Sequence, residues 1–137
     1  MIEIYNEFFE YVNKECPNLS FAKIIHPGSI IGLGSKIEAG SLILPGAIVG
    51  VSSIIKVGSI LNSKATLEHD GVMNSWSSIL PGVCTGGNII LGSLSYICIG
   101  SIISHNIKIG DNSVVGAGSV VLKDQPKIIK FELFCLY

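Results

Sequence analysis

The sequence predicts an all-β fold: a coil of short parallel strands, three to a turn, opened by one short helix. Three observations predict it. Stepping by six from Ile25 through Ile31, Ile37 and Ile43 to Val115 and Val121 meets seventeen positions, of which sixteen carry an aliphatic residue or Met and one carries Thr85. Four places after each, most repeats have a small residue, such as Ser41, Ala47, Ser53, Ser59 and Ser101. Gly often stands just before it, as at Gly40, Gly46, Gly58 and Gly100.

A period of six is not the helical 3.6, but it is a multiple of the strand period of two. A short strand followed by a tight bend satisfies it, with one large and one small side chain pointing inward per repeat. Gly at the bend supplies backbone angles that other residues resist. Three such faces close a triangular coil, so eighteen residues make one rung. Seventeen repeats make between five and six rungs, each pairing with the next at about 4.8 Å.

The ends break the pattern. "IEIYNEFFEYVNKE" puts Tyr5, Phe8, Phe9 and Val12 on one helical stripe, and Pro17 marks its end. The expected organisation is a helical cap over residues 1–20, a coil over 21–124 and a tail over 125–137. Packing across the first rung would spare the coil an open sheet edge. The tail "KIIKFELFCLY" is apolar and out of register; it closes the last rung or reaches a neighbouring subunit.

Composition narrows the function. Hydrophobic residues make up 48% and charged residues 14% of 137 positions, a surface poor enough in charge to suggest an oligomer. The net charge of −1 and the lack of a basic cluster argue against nucleic acid. No apolar run nears the roughly 20 residues of a membrane helix, and no secretory signal pattern opens the chain. Cys16, Cys84, Cys98 and Cys135 show neither CxxC spacing nor a disulfide framework. They read as reduced thiols of a cytoplasmic protein.

Against this background "KATLEHDGVMNSWS" stands out. Numbering by eighteen puts His69 at a bend, with Gly87 above it in the same column and His105 one rung higher. A neighbouring carboxylate, Asp70 or Glu68, can hold the imidazole in one tautomer. Gly87 brings a bare backbone N–H within about 5 Å of the same column. A fixed amide donor beside a base suits acyl transfer, whose tetrahedral intermediate carries negative charge on one oxygen.

Between Ile24 and Lys123 the repeat resembles that of the hexapeptide-repeat acyltransferases, a resemblance that implies a left-handed parallel β-helix. "EHDGVMNSWSSILPGVCTGG" is similar to a segment of the acetyltransferases that modify sialic acids and nucleotide-linked amino sugars. The resemblance implies that His69 is the catalytic base, that Asp70 supports it and that Gly87 donates its amide to the acetyl carbonyl. It further implies direct transfer from acetyl-CoA, held in a groove between two subunits of a homotrimer beside the upper rungs. Its cofactor contacts fall on Ile99 in "CIGS" and Ala117 in "GAGS". "IGDNSVVGAGSVVLKD" matches the family's last rung. Where the relatives have a second His against acetyl-CoA, this chain has Ser78. Where the nucleotide-sugar enzymes have an N-terminal α/β domain, only a helix-like stub over residues 1–20 precedes the coil, and their "GxPAK"-like ending is missing, so their sugar specificity is expected to transfer poorly.

The same residues admit other readings. The fold also houses zinc carbonic anhydrases, but His69 and His105 lie two rungs apart, about 10 Å. Position 110 is Gly, and His26 lies near the first rung beside the turn-forming Pro27; without a third ligand no metal is expected. Trp76, on a bend, could stack on a sugar or adenine or pack between subunits. Cys84 reads as a small apolar residue, not a nucleophile. A scaffold without a working acceptor site is the alternative to an acetyltransferase acting on a sugar-type hydroxyl or amine.

Overall fold

The computed structural model describes residues 2–126 and 130–131. Cys135 and most of the tail lie outside the described residues, as does the side chain of Tyr5. A helix over Ile2–Glu15 is followed by seventeen two-residue strands, spaced six residues apart from Ile24–Ile25 to Val120–Val121. Every third strand pairs in parallel, giving sheets of seven, six and five strands. Ile24 stands beside Leu42 and Ile25 beside Ile43, so the rung is the eighteen residues that the repeat predicts.

The first face carries Ile24–Ile25 and every rung-mate above it. The second carries Ile30–Ile31, Thr66–Leu67 and Cys84–Thr85, and the third Lys36–Ile37 and Val72–Met73. The second residue of each strand points inward. Ile43, Val49, Ile55, Leu61, Leu67, Met73, Ile79, Leu91 and Ile97 have no solvent exposure. Each such side chain contributes about 1.5–3 kcal/mol by leaving water.

Between these aliphatic columns stand small residues, and most of their buried hydroxyls are hydrogen-bonded, Ser113 Oγ being an exception. The buried Ser41 hydroxyl donates to the Lys56 carbonyl at 2.9 Å, Ser59 to Asn74 at 2.9 Å and Ser101 to Gly116 at 2.8 Å. An unpaired buried hydroxyl would cost free energy; paired, it ties one rung to the next.

Each corner has two residues. The ladder uses the amides on either side of the first, as in Leu44 to Leu61 and Gly46 to Gly28, and does not need that residue's own. Pro45 and Pro81, which lack an N–H, therefore fit there. The second corner residue takes positive φ at every rung from Gly34 to Gly118, including the non-glycines Ser52, Lys64, Asp70, Trp76 and Asn88.

The helix docks on a corner column. Phe9 stacks on Phe21 at 4.1 Å between ring centroids and meets Trp76 edge-on at 4.9 Å. Ile24, Ile25, Ile30 and Ile31 of the first rung stay exposed, which corrects the expectation of a helix lying across it. At the other end the chain re-enters the coil after the last repeat. Gln125 bridges Ile109, and Lys130–Phe131 pairs in register with Val114–Val115.

Candidate active site

The corner between the second and third faces stacks Val51, His69, Gly87 and His105, each eighteen residues after the last. The His69 ring lies directly on Gly87: a Cβ built on that glycine would fall 2.3 Å from Nε2 and 2.4 Å from Cε1. Close approach of the ring, not an unusual φ, requires glycine here. The Gly87 carbonyl accepts from Asn106 at 3.0 Å, whereas its own N–H has no partner among the described residues. The corner thus carries a free amide donor against an imidazole.

Asp70 follows with φ 57°. Asp tolerates this left-handed conformation, and it turns the carboxylate back on its neighbour. His69 Nδ1 lies 2.9 Å from Asp70 Oδ2. A carboxylate only accepts, so Nδ1 carries the proton and donates it, leaving the Nε2 lone pair at Gly87. Both side chains are open to solvent, 63% and 61% exposed. The backbone holds the corner firmly: Asp70 N donates to Val51 O at 2.9 Å and Asn88 N to His69 O at 2.8 Å.

The remaining expected residues lie elsewhere on the coil. Ile99 and Ala117 are one rung apart on the corner between the first and second faces, linked by Gly118 N to Ile99 O at 2.9 Å. They stand across the second face from His69, on higher rungs. Ser78 lies on the first face, opposite the His69 corner, only 2% exposed with Ile60 below and Tyr96 above. One chain therefore unites His69, Asp70 and Gly87, and separately Ile99 and Ala117, but does not bring Ser78 to either group.

Trp76 is not an open platform. Its ring lies down over Gly58, where a Cβ would be 2.2 Å from it, and against Phe9. Its part is to hold the helix. Cys84 is an exposed free thiol on the second face, and burial raises the pKa of the half-buried Cys98 thiol. His26 Nδ1 accepts from Gly28 N at 3.0 Å within its own turn. Among the described residues no group of three or more His, Cys, Asp or Glu side chains could hold a metal, and no helix is long and apolar enough to cross a membrane.

Sequence reading passed over Thr85. Its inward neighbour in the column is Leu67, yet the register links the two strands only through Cys84 and Thr66. The signal was present as the single polar residue in the aliphatic column.

Comparison with protein-family models matches none, and comparison with curated proteins matches none. Solved structures do match. The acetyltransferase domain of PglB from Neisseria gonorrhoeae, known also in complex with acetyl coenzyme A, superposes with a TM-score of 0.87 at 28% identity, over 92% of this chain and 60% of that one. PerB from Caulobacter crescentus, in complex with CoA and GDP-perosamine, gives 0.84 at 22% identity, over 90% of this chain and 61% of that one. The chain spans about three-fifths of the length of these neighbours. A coil of opposite hand could not superpose so closely, so the winding is that of the left-handed parallel β-helix. By repeat and winding, the chain is similar in fold to these acetyltransferases.

Proposed function

We propose that the protein is an acetyl-CoA-dependent acetyltransferase that moves acetyl directly to a hydroxyl or amine of a sugar-type acceptor, with His69 as general base. The observation that carries this reading is the His69 ring seated on Gly87, its Nδ1 tied to Asp70 and the Gly87 amide unused. The acetyl-CoA complex of the PglB domain supports the co-substrate, and the GDP-perosamine complex of PerB supports a sugar-type acceptor.

The corner suits an acetyl thioester, because it sets a proton acceptor, the His69 ring, against an unused donor, the Gly87 amide. Acetyl-CoA supplies an activated acyl carbon with a thiolate leaving group. Nε2 takes the proton of the acceptor hydroxyl or amine as its oxygen or nitrogen bonds to that carbon. The Gly87 N–H donates to the carbonyl oxygen as it gains negative charge, an interaction stronger in the transition state than before it. The imidazolium then returns the proton to the departing sulfur. Asp70 keeps Nδ1 protonated throughout, so Nε2 is the nitrogen that cycles.

A second copy completes the site in this reading. Between the His69 corner and the Ile99 corner the second face exposes Ile30, Ile102 and Val120, an apolar strip that another chain would cover. Closed threefold packing would bring a wall opposite His69 and form a groove leading to Ile99 and Ala117. Ser78, remote from His69 in its own chain, would serve a neighbour's groove. The free thiols suit a reducing compartment such as the cytoplasm.

Calorimetry with acetyl-CoA and an assay of thiol release across sugar acceptors test the reading. The wild type and His69→Ala both bind, and only the wild type releases CoA. A scaffold would give no heat with either protein.

A further inference from the structure

Thr85 is the one polar side chain in the inward column of strands, and it is 2% exposed. A β-branched aliphatic such as Val would occupy the same space without a polar atom, and the other sixteen positions of the column are filled by aliphatics or Met. A hydroxyl buried at such a place has to be used.

It is used at the candidate site. On this corner the residue after each strand ordinarily donates its amide to the carbonyl one rung up, as Gly50 N does to Leu67 O at 2.6 Å and Gly86 N to Ile103 O at 2.8 Å. Glu68 breaks the rule: its amide donates to the Thr85 hydroxyl oxygen at 3.1 Å. The two strands accordingly keep one register pair, Cys84 with Thr66, where the pairs above and below keep two. On the far side of the same residue, the Glu68 carbonyl accepts from Ser53 Oγ at 2.8 Å.

Glu68 is therefore pinned by buried hydroxyls on both sides, and the next residue is His69. Gly87, on which the imidazole rests, follows Thr85 by two residues. One side chain thus sits between the two walls of the site and displaces the regular ladder bond there. We infer that Thr85 is a positioning residue: its hydroxyl, in place of its carbonyl, anchors the Glu68 amide and sets the pose in which His69 meets Gly87. The inference rests on the acetyltransferase reading for its kinetic consequence, but not for its geometry.

The opposing effects of one substitution test it. Thr85→Val restores an all-aliphatic column, so it melts no lower than the wild type. It lowers kcat by about 10- to 100-fold, the scale of a misplaced catalytic group, and leaves KM for acetyl-CoA within about twofold. Thr85→Ser keeps the hydroxyl and recovers kcat to within about threefold of the wild type. A Thr85→Val protein with wild-type kcat overturns the inference, and so does a Thr85→Ser protein as slow as Thr85→Val. If the wild type itself transfers no acetyl group, the functional reading fails. Nitrogen-15 resonances of the His69 ring and the Glu68 amide then decide the positioning: both move in Thr85→Val and stay in Thr85→Ser, and unmoved resonances in Thr85→Val overturn it.

Discussion

The His69 imidazole occupies the space in which a side chain on Gly87 would stand, with Nε2 2.3 Å from the position of that missing Cβ. No other residue type leaves both the ring and the amide where they are. Gly87→Ala is expected to push the ring, an exposed and movable group, off the amide and keep the fold. Turnover in the thiol-release assay falls by about 10- to 100-fold, while the circular dichroism spectrum and melting temperature stay close to wild type. Unchanged turnover would show that the contact between ring and glycine is incidental.

Removing the base and removing its support have different sizes. His69→Ala deletes the proton acceptor and lowers kcat by about 10² to 10⁴. Asp70→Asn keeps the left-handed corner and a hydrogen-bonding side chain but loses the charge. Because water reaches both groups, the loss is about 3- to 10-fold, the worth of one exposed hydrogen bond. Steady-state kinetics on both variants rank them; an Asp70→Asn loss as large as that of His69→Ala would give Asp70 a direct part in the chemistry.

Trp76 is the sole tryptophan and reports on the helix. Phe9→Ala removes the ring that covers its edge, so its fluorescence moves to longer wavelength and the helix loosens. Gly58→Ala sets a methyl group against the Trp76 ring at a corner with φ +67°, and gives the same shift from the opposite side. An emission maximum that does not move in either variant would contradict the packing.

The coil's stability resides in its inward columns. Ile79→Ala, at a side chain with no exposure, costs about 2–5 kcal/mol in urea unfolding. Met73→Leu, which nearly conserves volume, costs less than about 1.5 kcal/mol. Equal losses would mean that the columns are not tightly packed.

Thiol reactivity checks burial and assembly together. The thiolate is the reactive form, and burial raises the Cys98 pKa, so at a given pH less of it is ionised. Alkylation read by peptide mass spectrometry is expected to reach exposed Cys16 first and Cys98 last. Cys84, on the second face, keeps pace with Cys16 in a single chain and lags behind it where another copy covers that face.

The rung length and the inward column were legible because both are local. A repeat of six, three times over, leaves hydrogen-bonded register no choice but to stack position 69 under 87. The residues of the candidate corner follow from that arithmetic, and His69, Asp70 and Gly87 meet where the spacing puts them. The separation of Ser78 from His69 on different faces follows from the same spacing, but its burial depends on the bulk of Ile60 and Tyr96 beside it.

Side-chain direction was decided by tertiary structure, because it depends on what neighbouring rungs leave empty. Trp76 stands at a corner that spacing alone marks as exposed, yet it is half-buried, since its ring folds along the corner over bare Gly58 and Phe9 arrives from a distant helix. Thr85 reads as a flaw in a hydrophobic column until its hydroxyl is seen taking the Glu68 amide. Sequence set the path of the backbone, a property of repeated local hydrogen bonding; packing across rungs settled where the side chains point, and with it the shape of the site.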